Sequence, residues 1–207
     1  MRLTLSRLIM QLSSILFATI FLSCSGDNGD KGCGHIKDYR TVTIGDQEWM
    51  ADNLNCHTEG SKCYNNDKTN CDTYGRLYTY EMATTACPAG SHLPTRGEWY
   101  KLMDYIGKDS ECSDCVGTLL KATNGWYDNG NGTDNYNFTA LPGGACFPDG
   151  TGSEIGISGH WWIAITYEDL ADFLNYGICM SYDSKSYCDV NSDKDMPIML
   201  SVRCVKD

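Results

Sequence analysis

Ala86-Cys87-Pro88-Ala89-Gly90-Ser91-His92-Leu93-Pro94-Thr95-Arg96-Gly97-Glu98-Trp99 carries the end of one helix and the start of the next. Upstream, Tyr78, Met82 and Ala86 stand four apart, as on one stripe of a helix, and Pro88 stops that helix. Downstream, Thr95 and Glu98 make a capping box: the hydroxyl accepts from first-turn amides while the carboxylate reaches back to the cap. Trp99, Leu102, Met103 and Ile106 follow at i, i+3, i+4 and i+7, which predicts a helix with one buried face, closed by Gly107.

Towards the N-terminus, Thr41-Val-Thr-Ile44 alternates and meets Gly45-Asp46, so it reads as a hairpin with Gln47-Glu-Trp-Met50. Residues 56–71 form a polar loop dense in Asn, Asp and Lys that cannot build its own core; a Cys63–Cys71 bridge would constrain it. Towards the C-terminus, Leu119-Leu-Lys-Ala122 is a short apolar element, and residues 126–137 are almost entirely Asn, Asp, Gly and Tyr. Phe138-Thr-Ala-Leu-Pro-Gly-Gly144 reads as a buried edge entering a turn, and Trp161-Trp-Ile-Ala-Ile165 as a core strand. Met199-Leu-Ser-Val-Arg-Cys-Val205 alternates, with Leu200, Val202 and Cys204 on one face and Ser201, Arg203 and Val205 on the other. Together these features predict an α+β domain of two helices, short antiparallel strands and long disulfide-tied loops.

Before that domain the chain changes character. Arg2 and Arg7 precede an apolar run from Leu8 to Leu22 that is too short to span a bilayer, where about twenty residues are needed. A basic start followed by such a run reads as a signal peptide over residues 1–23. Phe21-Leu22-Ser23-Cys24 resembles a bacterial lipobox, which makes Cys24 the lipid-accepting residue. Residues 24–38 then hold the lipidated cysteine and a polar, flexible tether, and residues 39–207 hold the domain. Two or more acyl chains suffice for stable anchoring where one does not. Ser25 after the cysteine resembles an outer-membrane sorting pattern, so the expected location is the bacterial outer membrane or cell surface, with the membrane itself as a partner.

A net charge of −11 argues against nucleic acid as a partner. Of twelve cysteines, eleven remain once Cys24 is spent on lipid; in an exported chain they read first as disulfides, and an odd number leaves one over. Cys112-Ser-Asp-Cys115 is the one CxxC, with no second pair and no nearby histidine to complete a zinc site, so a loop bridge is expected, to each other or to other cysteines. Cys33–Cys56 is a further expected pair, and a Cys112–Cys115 bridge would strand Cys146.

Several of these segments resemble the Fibrobacter succinogenes major paralogous domain in the order they occur. They are Thr43-Ile-Gly-Asp-Gln-Glu-Trp-Met-Ala-Asp-Asn-Leu-Asn55, Tyr74-Gly-Arg-Leu-Tyr-Thr-Tyr80, Ala86 to Thr95, Gly132-Thr-Asp134, Ala140-Leu-Pro-Gly-Gly144 and Ser201-Val-Arg-Cys-Val-Lys-Asp207. The resemblance runs from about residue 39 to the C-terminus. That family is of undefined activity, and its domain is similar to the C-type-lectin-like fold, which formylglycine-generating (sulfatase-modifying) enzymes also elaborate. In such folds a first helix leads into a cysteine whose partner lies on the final strand; the resemblance therefore implies a Cys87–Cys204 bridge.

Two chemistries of that fold can be tried on these residues. Calcium needs six to eight oxygens; the Glu-Pro-Asn or Gln-Pro-Asp and Trp-Asn-Asp triplets of such lectins are absent, although Asp128 to Asp134 and Asp189 to Asp195 could offer oxygens. No cofactor is otherwise expected. The copper-holding cysteines of the formylglycine-generating enzymes are five apart, whereas Cys179 and Cys188 are nine apart, and a disulfide suits them better. His35, His57, His92 and His160 lie in no recognised catalytic motif, and His92 is expected to be a satisfied core imidazole. No catalytic residue emerges, which favours a binding or adhesion module, with a glycan or protein ligand, over a cysteine- or metal-dependent enzyme or a purely structural envelope component. One of Trp161 and Trp162 should be core and the other exposed. The expected contact surface is a ring of Trp126, Tyr127 or Trp162 flanked by Asp128, Asn131 and Asp134.

Overall fold

The computed structural model describes residues 32–166, 175–191 and 197–207, so the segment read as a signal peptide, Cys24 and the first half of the expected tether lie outside the described residues. In chain order the elements are β1 (Thr41–Ile44), β2 (Gln47–Met50), α1 (Lys68–Tyr74), β3 (Leu77–Tyr78), α2 (Tyr80–Ala86), β4 (Ser91–His92), α3 (Arg96–Asp109), α4 (Val116–Leu120), β5 (Ala145–Cys146), β6 (Gly152–Ser153), β7 (Ser158–Trp162), β8 (Asn175–Ser181), β9 (Tyr187–Asn191), β10 (Leu200–Ser201) and β11 (Val205–Lys206). The described residues form a mixed α+β structure with four α-helices where two were expected.

The opening hairpin pairs Ile44 with Gln47, and Gly45 at φ +63° takes the first turn position, which a side chain would strain. The capping box at α3 is present in full: Glu98 N donates to Thr95 Oγ1 at 3.2 Å and Thr95 N donates to Glu98 Oε2 at 2.8 Å. The helix runs past Gly107 to Asp109. Within the polar loop, Asp67 accepts from Thr69 N at 2.9 Å and so starts α1, a helix too short to show an apolar stripe.

β1, β2, β11 and β4 form one sheet in that order; β3, β10, β7, β8 and β9 form a second, and β5 pairs with β6. The C-terminal segment feeds both larger sheets, through β10 and then β11. Its alternation separates two apolar clusters rather than core from water. Leu200, Val202 and Cys204 pack with Tyr78, Leu54 and Trp162, while Val205 packs with Trp49, Trp99 and Trp161. From Met199 to Val205 every residue is buried, Ser201 and Arg203 included.

Arg203 explains how a charge survives there. Its guanidinium lies 4.2 Å over the Phe138 ring; Nη1 donates to Phe138 O, and Nη2 donates to Asn53 Oδ1 at 2.8 Å and Thr139 O at 3.2 Å. Burial holds its pKa below the usual range, opposed by Asp52 and Asp134. Asn53 also accepts from Trp161 Nε1 at 2.8 Å and donates to Tyr74 O at 2.8 Å, so one amide ties four segments together. Close by, Gly75 sits at φ +80°, and a Cβ there would meet Asn53 Cβ at 2.8 Å.

Among the described residues five disulfides link Cys33–Cys56, Cys63–Cys71, Cys87–Cys204, Cys112–Cys115 and Cys179–Cys188. Cys146 is the free cysteine among the described residues; it is buried, and burial pushes its thiol up to about 11.

Candidate functional site

Of the three rings expected to carry the contact surface, Tyr127 is exposed and both tryptophans are buried. Trp126 is 5% exposed and donates Nε1 to Ala140 O at 3.1 Å, while Trp162 is fully buried and donates Nε1 to Tyr78 O at 2.7 Å. Trp161 is buried as well. The reason is topological: β7 lies inside the five-stranded sheet with an apolar cluster on each face, so adjacent tryptophans both find core. Asn131 Oδ1 accepts from Trp126 N at 3.0 Å, and Asp134 accepts from Thr139 N at 2.7 Å and Thr139 Oγ1 at 2.9 Å. These side chains brace the loop from within; Thr139, at φ +54°, is held in a conformation that β-branched residues rarely adopt. Tyr127, Asp128 and Asn131 of the expected set are exposed, and Tyr127 meets Tyr182 edge-on at 5.4 Å.

His92 is half-exposed rather than core; Nδ1 lies 2.7 Å from Asp207 Oδ1 and Nε2 2.8 Å from Glu98 Oε1, so both ring nitrogens are occupied by carboxylates. Burial lowers its pKa, but the bonds to Asp207 and Glu98 outweigh this and raise it. His160 lies in a cluster that sequence reading passed over: Ser158 Oγ is 2.7 Å from His160 Nε2 and 2.5 Å from Glu154 Oε2. Glu154 Oε2 is also 3.0 Å from that same Nε2, whereas His160 Nδ1 is buried without a partner. A serine relay needs its acid on the nitrogen opposite the serine. Here acid and serine share one nitrogen, and the trio braces the turn into β7.

Among the described residues no group of three or more His, Cys, Asp or Glu side chains could hold an ion. Cys179 and Cys188 are spent on each other, which removes the thiolate pair that a copper site would use. Residues 192–196 of the second candidate calcium loop lie outside the described residues, and Asp189 accepts from Tyr100 Oη at 3.1 Å.

That tyrosine lines a cleft of about 760 Å3 between the outer face of α3 and β9, closed at one end by Ser113 and Val116. Its volume falls in the usual range of ligand sites. α3 supplies Gly97, Tyr100, Lys101, Asp104 and Lys108, a stripe at helical spacing opposite the buried Trp99, Leu102 and Ile106. β9 supplies Tyr187, whose ring centroid lies 6.3 Å from that of Tyr100 at an interplanar angle of 46°. Lys108 pairs with Asp104, and Lys101 pairs with Asp46 at 2.7 Å. Burial, together with Asp189, raises the phenol pKa of both Tyr100 and Tyr187. The stripe is visible in the sequence, but its partner strand is not, because the α3–β9 contact joins residues some ninety positions apart.

Comparison with known proteins adds one assignment. No curated protein and no solved structure matches the chain. The Fibrobacter succinogenes major domain matches residues 42–206, from the first strand of the hairpin to the last strand of the sheet it joins, and the chain belongs to that family.

Proposed function

We propose that this chain is a lipid-anchored bacterial envelope protein, displayed at the outer membrane or cell surface, whose domain binds a ligand, glycan or protein, in an adhesive or recognition role. The observation that carries the reading is the α3–β9 cleft, a concave surface with two tyrosine rings held by a disulfide-tied frame. The lipid anchor rests on the Phe21-Leu22-Ser23-Cys24 sequence and the polar tether after it. A C-type-lectin-like fold is part of the same proposal. It is supported by the Cys87–Cys204 link from the end of α2 to the C-terminal segment, and by the His92-Leu93-Pro94 turn that leads into α3.

Two measurements on the full chain test this. In the native host, Cys24→Ala should abolish palmitate labelling and release the protein or leave an unprocessed precursor; unchanged labelling would remove the anchor from the proposal. Protease applied to intact cells should then cleave the wild-type domain, and cells carrying it should bind immobilised glycans or matrix proteins better than cells lacking it. Equal binding by both would remove the adhesive role.

A further inference from the structure

Gly97 has no structural reason to be glycine. It lies in the first turn of α3 with ordinary helical φ, and the nearest heavy atom to an added Cβ would be Thr95 Oγ1 at 3.9 Å. Gly107, at the other end of the same cleft, differs: a Cβ there would stand 3.3 Å from Ser113 Cα, so packing accounts for it. Alanine at position 97 would fit and would favour the helix, since glycine carries the larger entropy cost. What glycine provides at 97 is bare backbone on the wall of the cleft, where something other than this chain can approach closely.

The cleft's chemistry narrows what that is. Its lysines are matched, Lys101 by Asp46 and Lys108 by Asp104, and Asp189 accepts from Tyr100 Oη. An anion or cation entering would have to break one of these pairs, whereas a neutral polyhydroxylated ligand could exchange hydrogen bonds with them intact. Tyr100 and Tyr187 both line the cleft, their rings tilted at 46° to one another, and so bring aromatic surface that suits an apolar face. Neutral sugar rings combine these properties, with an apolar face of C–H groups and a rim of hydroxyls.

Resting on the binding-module reading above, we propose that the α3–β9 cleft is a site for a neutral oligosaccharide. The sugar ring packs on Tyr100 and Tyr187, its hydroxyls meet Asp104, Asp189 and the lysines, and Gly97 sets how closely it approaches.

The test uses the full chain in nanodiscs, free of sugar detergents, titrated calorimetrically with cellohexaose, mannohexaose, xylohexaose and chitohexaose. At least one should bind below 10 mM. Tyr100→Ala and Tyr187→Ala should each weaken it at least tenfold, and Gly97→Ala should raise Tm yet weaken binding several-fold. A merely structural glycine would give the higher Tm with unchanged affinity, which overturns its role. Binding that survives all three variants but falls in Tyr127→Ala overturns the cleft and leaves the binding module standing. No binding of any hexaose at 10 mM overturns the sugar class, and cell-surface binding to matrix proteins then decides the broader reading separately. Tighter binding of a polylysine peptide or inorganic phosphate in the cleft overturns neutrality of the ligand.

Discussion

His92 is bonded at one nitrogen to the last residue, Asp207, and at the other to Glu98 in the first turn of α3. A protonated imidazole donates to both carboxylates at once, which a neutral ring cannot do. Its pKa in the fold therefore lies above the value of about 6.5 expected when unfolded. The stabilisation is full below that unfolded value and is lost as pH rises through the folded one. Glu98 is held below the usual carboxylate range despite burial, by bonds from Thr95 and His92, so it remains charged through the same window. The Tm difference between wild type and His92→Gln should accordingly be largest below the unfolded value of about 6.5 and shrink as pH rises beyond it. A difference that stays constant with pH would show that the ring acts by shape and neutral hydrogen bonds alone.

At the scale of elements, the parts legible in the sequence were those whose chemistry is local. The Gly45-Asp46 turn and the Thr95–Glu98 box each specify their structure within four residues, and both occur where expected. α1 was missed because seven residues beginning at a polar cap carry no apolar stripe. The exposed tryptophan was misplaced because burial on both faces of β7 is a property of the sheet order, not of the strand. Asn131 and Asp134 looked like ligand-facing groups, yet they satisfy the backbone of their own loop, as Asx side chains commonly do. Of the expected contact set, Tyr127, Asp128 and Asn131 reach solvent, and the cleft depends on a pairing no local pattern announces. The start of α3 offers a test of local logic. Thr95→Ala should cost about 1 kcal/mol by urea denaturation, the ordinary loss of an N-cap. Because Glu98 serves both the cap and His92, Thr95→Ala and His92→Gln should be non-additive by at least about 0.5 kcal/mol. Strict additivity would mean that the cap and the histidine bridge are independent.

At the scale of the whole molecule, the order of covalent links matters more than their number. The C-terminal segment passes between two apolar clusters and contributes to both larger sheets, so the fold closes only when this last part of the chain is in place. Cys87–Cys204 ties that segment to the end of α2 across 117 residues, whereas Cys63–Cys71 spans 8. If a bridge acts mainly by limiting the unfolded chain, the longer loop removes roughly 5 kcal/mol of unfolded-state entropy against about 2.5 kcal/mol for the shorter. The double variant Cys87→Ala/Cys204→Ala should therefore lose about 2 kcal/mol more stability than Cys63→Ala/Cys71→Ala. It should also be the one that fails to keep β11 paired with β2 and β4, which hydrogen exchange at Val205 and Lys206 would report. Both variants remove buried sulfur, Cys204 at 0% and Cys71 at 3% exposure, so lost packing alone predicts similar penalties. Equal losses in denaturant, with Val205 and Lys206 still protected, would show that the two clusters hold the C-terminal segment without the link.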